Sequence, residues 1–250
     1  MADRSDIGSR MKTYYEDAAK TKLVRRMPVA IRVDGKAFHT YTKNMQKPFD
    51  RILVDAMQKT MKFMCENIQG CVLGYTQSDE ITLILIDYQN LDTSAWFDYE
   101  VQKVASVSAS MATIGFRDAM EDIFNVKRFF GKLDNTEYEK YMLNSAMFDA
   151  RCFNIPKEEV TNLFYWRELD AIRNSIEACG QAHFTQKELN GKNRGEIKEM
   201  LKTKGFVWED LPIMLQRGSC CIRGLDRKWM IDKEIPLFAG SDYVDKLVFI

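Results

Sequence analysis

Two carboxylates in this chain stand where apolar strands stop. The run Pro28-Val29-Ala30-Ile31-Arg32-Val33 ends on Asp34-Gly35, and Tyr75-Thr76-Gln77-Ser78-Asp79-Glu80 leads into Ile81-Thr82-Leu83-Ile84-Leu85-Ile86. A charge at the margin of an apolar strand is costly unless a cation or a hydrogen-bond donor meets it. Asp34 and Asp79 brought side by side would hold divalent metal, and oxygen ligands select a hard ion such as magnesium. Two magnesium ions would suit phosphoryl or nucleotidyl transfer, which must align the attacking hydroxyl, the phosphorus and the leaving pyrophosphate while neutralising their charge. Gly35 has no Cβ, so its carbonyl or amide can approach a metal or phosphate closely. Glu80 is either a third acid at the metal site or a turn residue. Each motif alone also fits a plain solvated turn.

The rest of the composition narrows the chemistry by exclusion. Six cysteines without a C-x-x-C pair write neither a zinc ribbon nor a dithiol redox motif, and read as buried thiols. Two histidines, His39 and His183, are too few for a histidine-rich metal site, and no nucleophile elbow supports a Ser-His-Asp triad. Thirty-six basic and thirty-six acidic residues cancel, so any polyanion site must be local. The opening Met1-Ala2-Asp3-Arg4-Ser5-Asp6 lacks the apolar stretch of a signal peptide, and no apolar run approaches the roughly 20 residues of a membrane helix. A cytoplasmic protein without a membrane partner is expected.

The carboxylates need a scaffold, and the hydrophobic pattern supplies one. Val29, Ile31 and Val33 alternate with Ala30, Arg32 and Asp34, which makes a strand with Arg32 and Asp34 on one face. Apolar residues at Ile52, Leu53, Ala56, Met57, Met61 and Met64 predict a helix over 52–64 capped by Asp50. Cys71-Val72-Leu73 and residues 81–86 predict a hairpin with an exposed acidic tip. Residues 96–116 read as a second helix with a small-residue surface, and 147–155 as a strand ending at Pro156. The order β-α-β-β-α-β predicts an α+β fold, a split βαβ antiparallel sheet with helices packed on one face. A boundary near Pro156 divides a catalytic domain, 1–156, from a smaller C-terminal part, 157–250. That part holds a helix over 158–179, a polar and basic stretch over 185–205 that is either a phosphate track or a solvated helix and loop, and a β-like Cys220-Cys221-Ile222.

Val29-Ala30-Ile31-Arg32-Val33-Asp34-Gly35-Lys36-Ala37-Phe38-His39, followed at the right separation by Tyr75-Thr76-Gln77-Ser78-Asp79-Glu80, resembles the paired signature of the tRNA-histidine guanylyltransferase superfamily. Lys47-Pro48, Lys103, Phe148-Asp149 and Trp166-Arg167 with Asp170 and Asn174 are similar too, so the resemblance spans about residues 5–224. It implies a polymerase-type palm that adds nucleotides to the 5′ end of RNA. A 5′-monophosphate is activated with ATP or GTP, and the 3′-hydroxyl of an incoming nucleoside triphosphate displaces the activating group. Asp34 and Asp79 would be the catalytic metal ligands, with Gly35 giving its carbonyl. Asp34, Gly35, Lys36, Ala37, Phe38, His39, Ser78 and Asp79 would line the nucleotide site, His39 having a structural role as its alternative. Arg32, Lys47, Lys103 and Asn174 would meet the triphosphate or the RNA end, where charge-assisted donors are favoured.

One departure bears on substrate. Where the family carries His-Ile-Asn-Asn after the Trp-Arg element, this chain has Ile172-Arg173-Asn174-Ser175, which resembles the branch that uses Watson–Crick templating to repair tRNAs with incomplete 5′ ends. The expectation is a magnesium-dependent, template-directed 3′–5′ nucleotidyltransferase acting on such tRNA, as a homotetramer on family precedent. The alternatives are a guanylyltransferase proper adding one G to tRNA-histidine, a nucleotide cyclase on a related palm, and a non-catalytic tRNA-binding protein.

Overall fold

The computed structural model describes residues 6–249; Met1 to Ser5, read above for a leader, and Ile250 lie outside the described residues. In chain order the elements are α1 (Asp6–Met11), β1 (Val29–Gly35), α2 (Phe38–Tyr41), α3 (Arg51–Asn67), β2 (Cys71–Gln77), β3 (Glu80–Leu85), α4 (Val101–Phe129), α5 (Asn135–Met142), β4 (Phe148–Asn154), α6 (Val160–His183), α7 (Gln186–Leu189), α8 (Arg194–Thr203), α9 (Ile213–Arg217), β5 (Ser219–Arg223), β6 (Trp229–Asp232) and α10 (Tyr243–Phe249). The strands form one antiparallel sheet in the order β4-β1-β3-β2-β5-β6. β1 lies between β3 and β4, pairing Asp34 with Glu80 on one side and with Asp149 on the other. The strand that ends on Asp34 is therefore held from both sides.

The expected β-α-β-β-α-β unit is present, and its two long helices, α3 and α4, cover one face of the sheet. Asp50 caps α3 by accepting from the Leu53 N–H, and the predicted stripe of Ala56, Met57, Met61 and Met64 is buried. The second helix starts later and runs further than its pattern suggested. Residues Trp96–Tyr99 form a separate 3-10 turn, with Phe97 and Asp98 in the left-handed region, and α4 follows from Val101. Helix packing uses only part of the small-residue surface: Ser108, Ala112 and Gly115 are buried, and a Cβ on Gly115 would come within 2.7 Å of the Phe63 ring.

Residues beyond Pro156 belong to the same sheet. β5 pairs with β2 and β6 extends it, while α6 and α10 cover the face opposite α3 and α4. With both faces covered, every residue of β2 and β3 is buried, which explains their nearly continuous apolar runs. Residues 185–205 fold as α7 and α8, each opened by a capping box, Thr185 with Glu188 and Asn193 with Glu196. Ile197 and Leu201 pack with Ile176, Cys179 and Trp208 in a small core of their own. Three of the six basic residues in that stretch are paired with acids: Lys192 with Glu196, Lys198 with Glu209 and Lys202 with Glu199. Trp208 is a buried anchor whose indole N–H donates to Ser175, and the half-buried Phe184 packs on the same core.

Candidate active site

Asp34 is the penultimate residue of β1, and Asp79 occupies the two-residue turn joining β2 to β3. The Gly35 N–H donates to the Asp79 carbonyl at 3.2 Å, which draws the turn onto the strand end. Burial pushes the Asp79 carboxyl up, the Ser78 hydroxyl hydrogen bond opposes the rise, and the nearby Asp34 charge adds to it. Asp34 and Asp79 carry no ion pair to a basic side chain among the described residues. Glu80, next in sequence, has two: Arg167 Nη1 lies 2.8 Å and Arg32 Nε 3.8 Å from its Oε2. Desolvation still raises the Glu80 carboxyl, against the pull of Arg167 and Arg32.

This contrast sorts the three acids. Glu80 is buried and neutralised within the protein, so the structure does not bring it to the other two as a free ligand. Its surroundings are those of a structural acid beside the site. Asp34 and Asp79 stand at adjoining chain ends without a basic partner among the described residues, an arrangement a divalent cation would complement. No group of three or more His, Cys, Asp or Glu side chains arranged for a metal occurs among the described residues. Two carboxylates could supply only part of the shell of a magnesium ion, which takes one or two carboxylates and completes the rest with water and substrate phosphates.

A cavity of about 520 Å³ opens beside the pair. The nucleotide-site residues predicted from sequence that line it are Gly35, Ala37, Phe38, His39, Ser78 and Asp79, joined by Lys47 and Asn174. Asp34 and Lys36 are not part of its lining; Asp34 is the residue before the lining Gly35, and Lys36 is exposed. Two of the lining residues, Ala37 at φ 53° and Ser78 at φ 50°, hold left-handed backbone without being glycine, a strain that concentrates at binding sites. Sequence reasoning missed Gln46, Phe49, Leu215 and Gln216, which also line the cavity. They come from loops and from α9, where no hydrophobic period marks them.

Three expectations change in the structure. A Cβ on Gly35 would lie 2.2 Å from the Phe38 ring, and that ring is wedged among Tyr41, Phe116 and Phe148, so the glycine makes room for the aromatic cluster beneath the loop. Gly35→Ala is expected to lower stability by about 1–3 kcal/mol through overpacking, seen as a reduced unfolding free energy in urea; wild-type stability would contradict this packing role. Arg32 is half-buried against Glu80 and Trp166 and lies outside the cavity. Lys103 is farther off: it sits in the first turn of α4 with its ammonium 4.9 Å from the Phe97 ring centre. Phe116, which touches Phe38, is thirteen residues along that helix, about 20 Å away. Lys103 therefore does not reach this chain's own cavity.

Comparison with known proteins agrees with this fold. The family model described as tRNAHis guanylyltransferase (Thg1) matches residues 8–156. The structure superposes on a bacterial tRNA(His) guanylyltransferase (Thg1)-like protein in complex with ATP with a TM-score of 0.85 and 41% identity, over 98% of this chain and all of the other. A bacterial Thg1-like protein in complex with GTP gives 0.77 and 38%, over the same shares. The Schizosaccharomyces pombe tRNA(His) guanylyltransferase is 26% identical over 226 residues, 83% of this chain and 79% of that protein. The Saccharomyces cerevisiae enzyme, at 20% identity and a TM-score of 0.68, shares the fold. A palm-like sheet, a paired-carboxylate site and a family match covering more than half of the chain lead to one assignment: the chain belongs to the tRNAHis guanylyltransferase family.

Proposed function

We propose that this protein is a magnesium-dependent, template-directed 3′–5′ nucleotidyltransferase that activates the 5′-monophosphate of an incomplete tRNA with ATP or GTP and then adds nucleotides to it. The observation that carries the proposal is the cation-free Asp34–Asp79 pair at the mouth of a cavity of nucleotide size. The ATP and GTP found in the two bacterial relatives support a nucleoside triphosphate as its occupant. Ile172-Arg173-Asn174-Ser175 supports tRNA repair over single-G addition to tRNA-histidine, because Ile172 stands where the guanylyltransferases proper carry histidine.

In this reading Asp34 and Asp79, with the Gly35 carbonyl, hold two magnesium ions. When bound, the metal neutralises the triphosphate and the developing charge on the leaving group. The loop from Gly35 to His39 and the Ser78 turn cradle the nucleotide. Lys47, at the cavity wall, supplies a positive charge toward the phosphates, and Asn174 supplies polar contact from α6. A cytoplasmic homotetramer belongs to the same reading; no helix among the described residues is long and apolar enough to cross a membrane.

The test incubates the protein with nucleoside triphosphates and a 5′-monophosphorylated tRNA lacking its first nucleotide, with both ends mapped. Templated extension at the 5′ end is expected in magnesium and is lost in EDTA. Addition of a single G to tRNA-histidine alone would favour the guanylyltransferase proper. Binding without any extension would leave a tRNA-binding protein, and cyclic nucleotide as the sole product would end the proposal. Sedimentation velocity checks the tetramer.

A further inference from the structure

α5 buries a single side chain, Tyr141, and that side chain reaches the wall of the cavity. Its hydroxyl donates to Asp50 Oδ2, which also accepts from the Gln46 N–H at 3.0 Å, while Asp50 Oδ1 accepts from the Leu53 N–H at 3.1 Å. Asp50 is 5% exposed and has no basic partner among the described residues, so these three donors take the place of a counter-ion. Burial, then the hydrogen bond to Asp50 and its charge, push the Tyr141 hydroxyl above the usual tyrosine range, and it stays a donor at any working pH.

Asp50 closes the run of six residues, 45–50, that forms one wall of the cavity and carries Lys47. The Gln46 hydrogen bond folds this run onto itself, but the backbone of residues 47–49 makes no hydrogen bond among the described residues. Lys47 reaches only the Thr42 carbonyl, at 3.5 Å. The place of the run therefore depends on its ends, and at Asp50 the tie from outside the loop and α3 is Tyr141. Tyr141 also holds the neighbouring wall. Its carbonyl accepts from the Tyr41 hydroxyl at 3.1 Å, and Tyr41 ends α2, which carries the lining residues Phe38 and His39. The Tyr141 ring centre lies 5.6 Å from that of Phe124 on α4, and a Lys127–Glu137 ion pair at 2.7 Å joins the same two helices. One residue, anchored on the long helix behind it, thus reaches both walls.

We propose that Tyr141 is a positioning residue for the nucleoside triphosphate: by holding Asp50 and the end of α2, it keeps the 45–50 wall, and Lys47 with it, in the place from which the phosphates are met. The inference rests on the reading of the cavity as a nucleoside triphosphate site and adds the device that orders its wall. A loop that is ordered before the ligand arrives spares the ligand the cost of ordering it, and the saving appears as affinity. Tyr141 touches no ligand in this arrangement and acts only through the residues it holds.

The test reads ATP binding by isothermal titration calorimetry and extension by steady-state kinetics. Tyr141→Phe removes one oxygen and keeps the ring against Phe124. It is expected to raise the Kd for ATP and the KM for the nucleoside triphosphate about tenfold, the lower end of what a hydrogen bond to a charged group contributes. The kcat at saturating substrate and the magnesium-dependent rise in melting temperature stay at their wild-type values, since Asp34 and Asp79 are held by other elements. In a Lys47→Ala background the same change is expected to cost less than about threefold in Kd, because the group that Tyr141 keeps in place is already gone. Wild-type ATP affinity in Tyr141→Phe, a loss in kcat without one in KM, or losses that simply add in the double variant would overturn the inference and leave the enzymatic reading standing. A wild type that binds ATP and extends no RNA would remove the enzymatic reading, whereas the tenfold loss and its absence in the Lys47→Ala background would still uphold the tether. A wild type that binds no ATP would end the reading of the cavity and the inference together.

Discussion

Asp34→Asn and Asp79→Asn are each expected to abolish nucleotide addition, with a loss of roughly three orders of magnitude or more. A metal that stabilises charge at the reacting phosphoryl group contributes several kcal/mol, and each 1.36 kcal/mol is a factor of ten in rate. The amide keeps the shape of the carboxylate but not its charge, so the fold has no reason to fail. In the absence of metal the variants should be as stable as wild type or more so, because neither carboxylate has a cationic partner and the Asp34 charge already disfavours ionised Asp79. Magnesium should then raise the melting temperature of wild type, through preferential binding to the native state, and leave the variants unmoved. Activity together with metal-dependent melting therefore separates loss of a ligand from loss of structure. A variant that keeps full activity, or that melts far below metal-free wild type, would contradict the assignment.

The elements that hold this pair were legible because their signals are local. The alternation in β1, the helical stripe and Asp50 cap of α3, and the hairpin of β2 and β3 are each written within a few residues, and each appears in the structure, although the acidic tip expected to be exposed is not: Asp79 is half-buried and Glu80 buried. The role of Glu80 was not legible. Whether it is a third ligand or a structural acid depends on Arg167, eighty-seven residues away, and no local pattern announces a partner at that distance. Lys103 fails for a related reason: a positive charge on a helix says nothing about which end of the sheet that helix start occupies. At Gly35 the missing Cβ has a cause that the local sequence does not show, since it makes room for Phe38 from below. β6 and α5 were missed because they are short and lack a strong apolar period. The covering of the second sheet face depends on residues that follow Pro156, where the visible pattern is thinner.

Those later residues also carry the second large effect, at Glu168. Its side chain is fully buried; Oε1 accepts from Arg217 Nη1 at 2.9 Å and Oε2 from the Phe238 N–H at 3.1 Å. Arg217 in turn donates to the Ile235 carbonyl at 2.9 Å, so one ion pair ties α6, the end of α9 and the C-terminal segment together. Glu168→Ala leaves a buried guanidinium without its counter-ion and a buried N–H without an acceptor, and is expected to cost about 3–5 kcal/mol in urea unfolding. Glu168→Gln keeps an acceptor for Phe238 and should lose less. The damage is also expected to reach the cavity: the Tyr75 hydroxyl donates to the Arg217 carbonyl, and Gln216 and Gly218 on either side line the cavity. ATP affinity should therefore fall in Glu168→Ala while the magnesium-dependent rise in melting temperature remains, because Asp34 and Asp79 are held by β1 and the β2–β3 turn. Unfolding at the wild-type midpoint would show that the pair does not anchor this region, and loss of the magnesium response with intact ATP binding would invert the proposed division between metal pair and nucleotide wall.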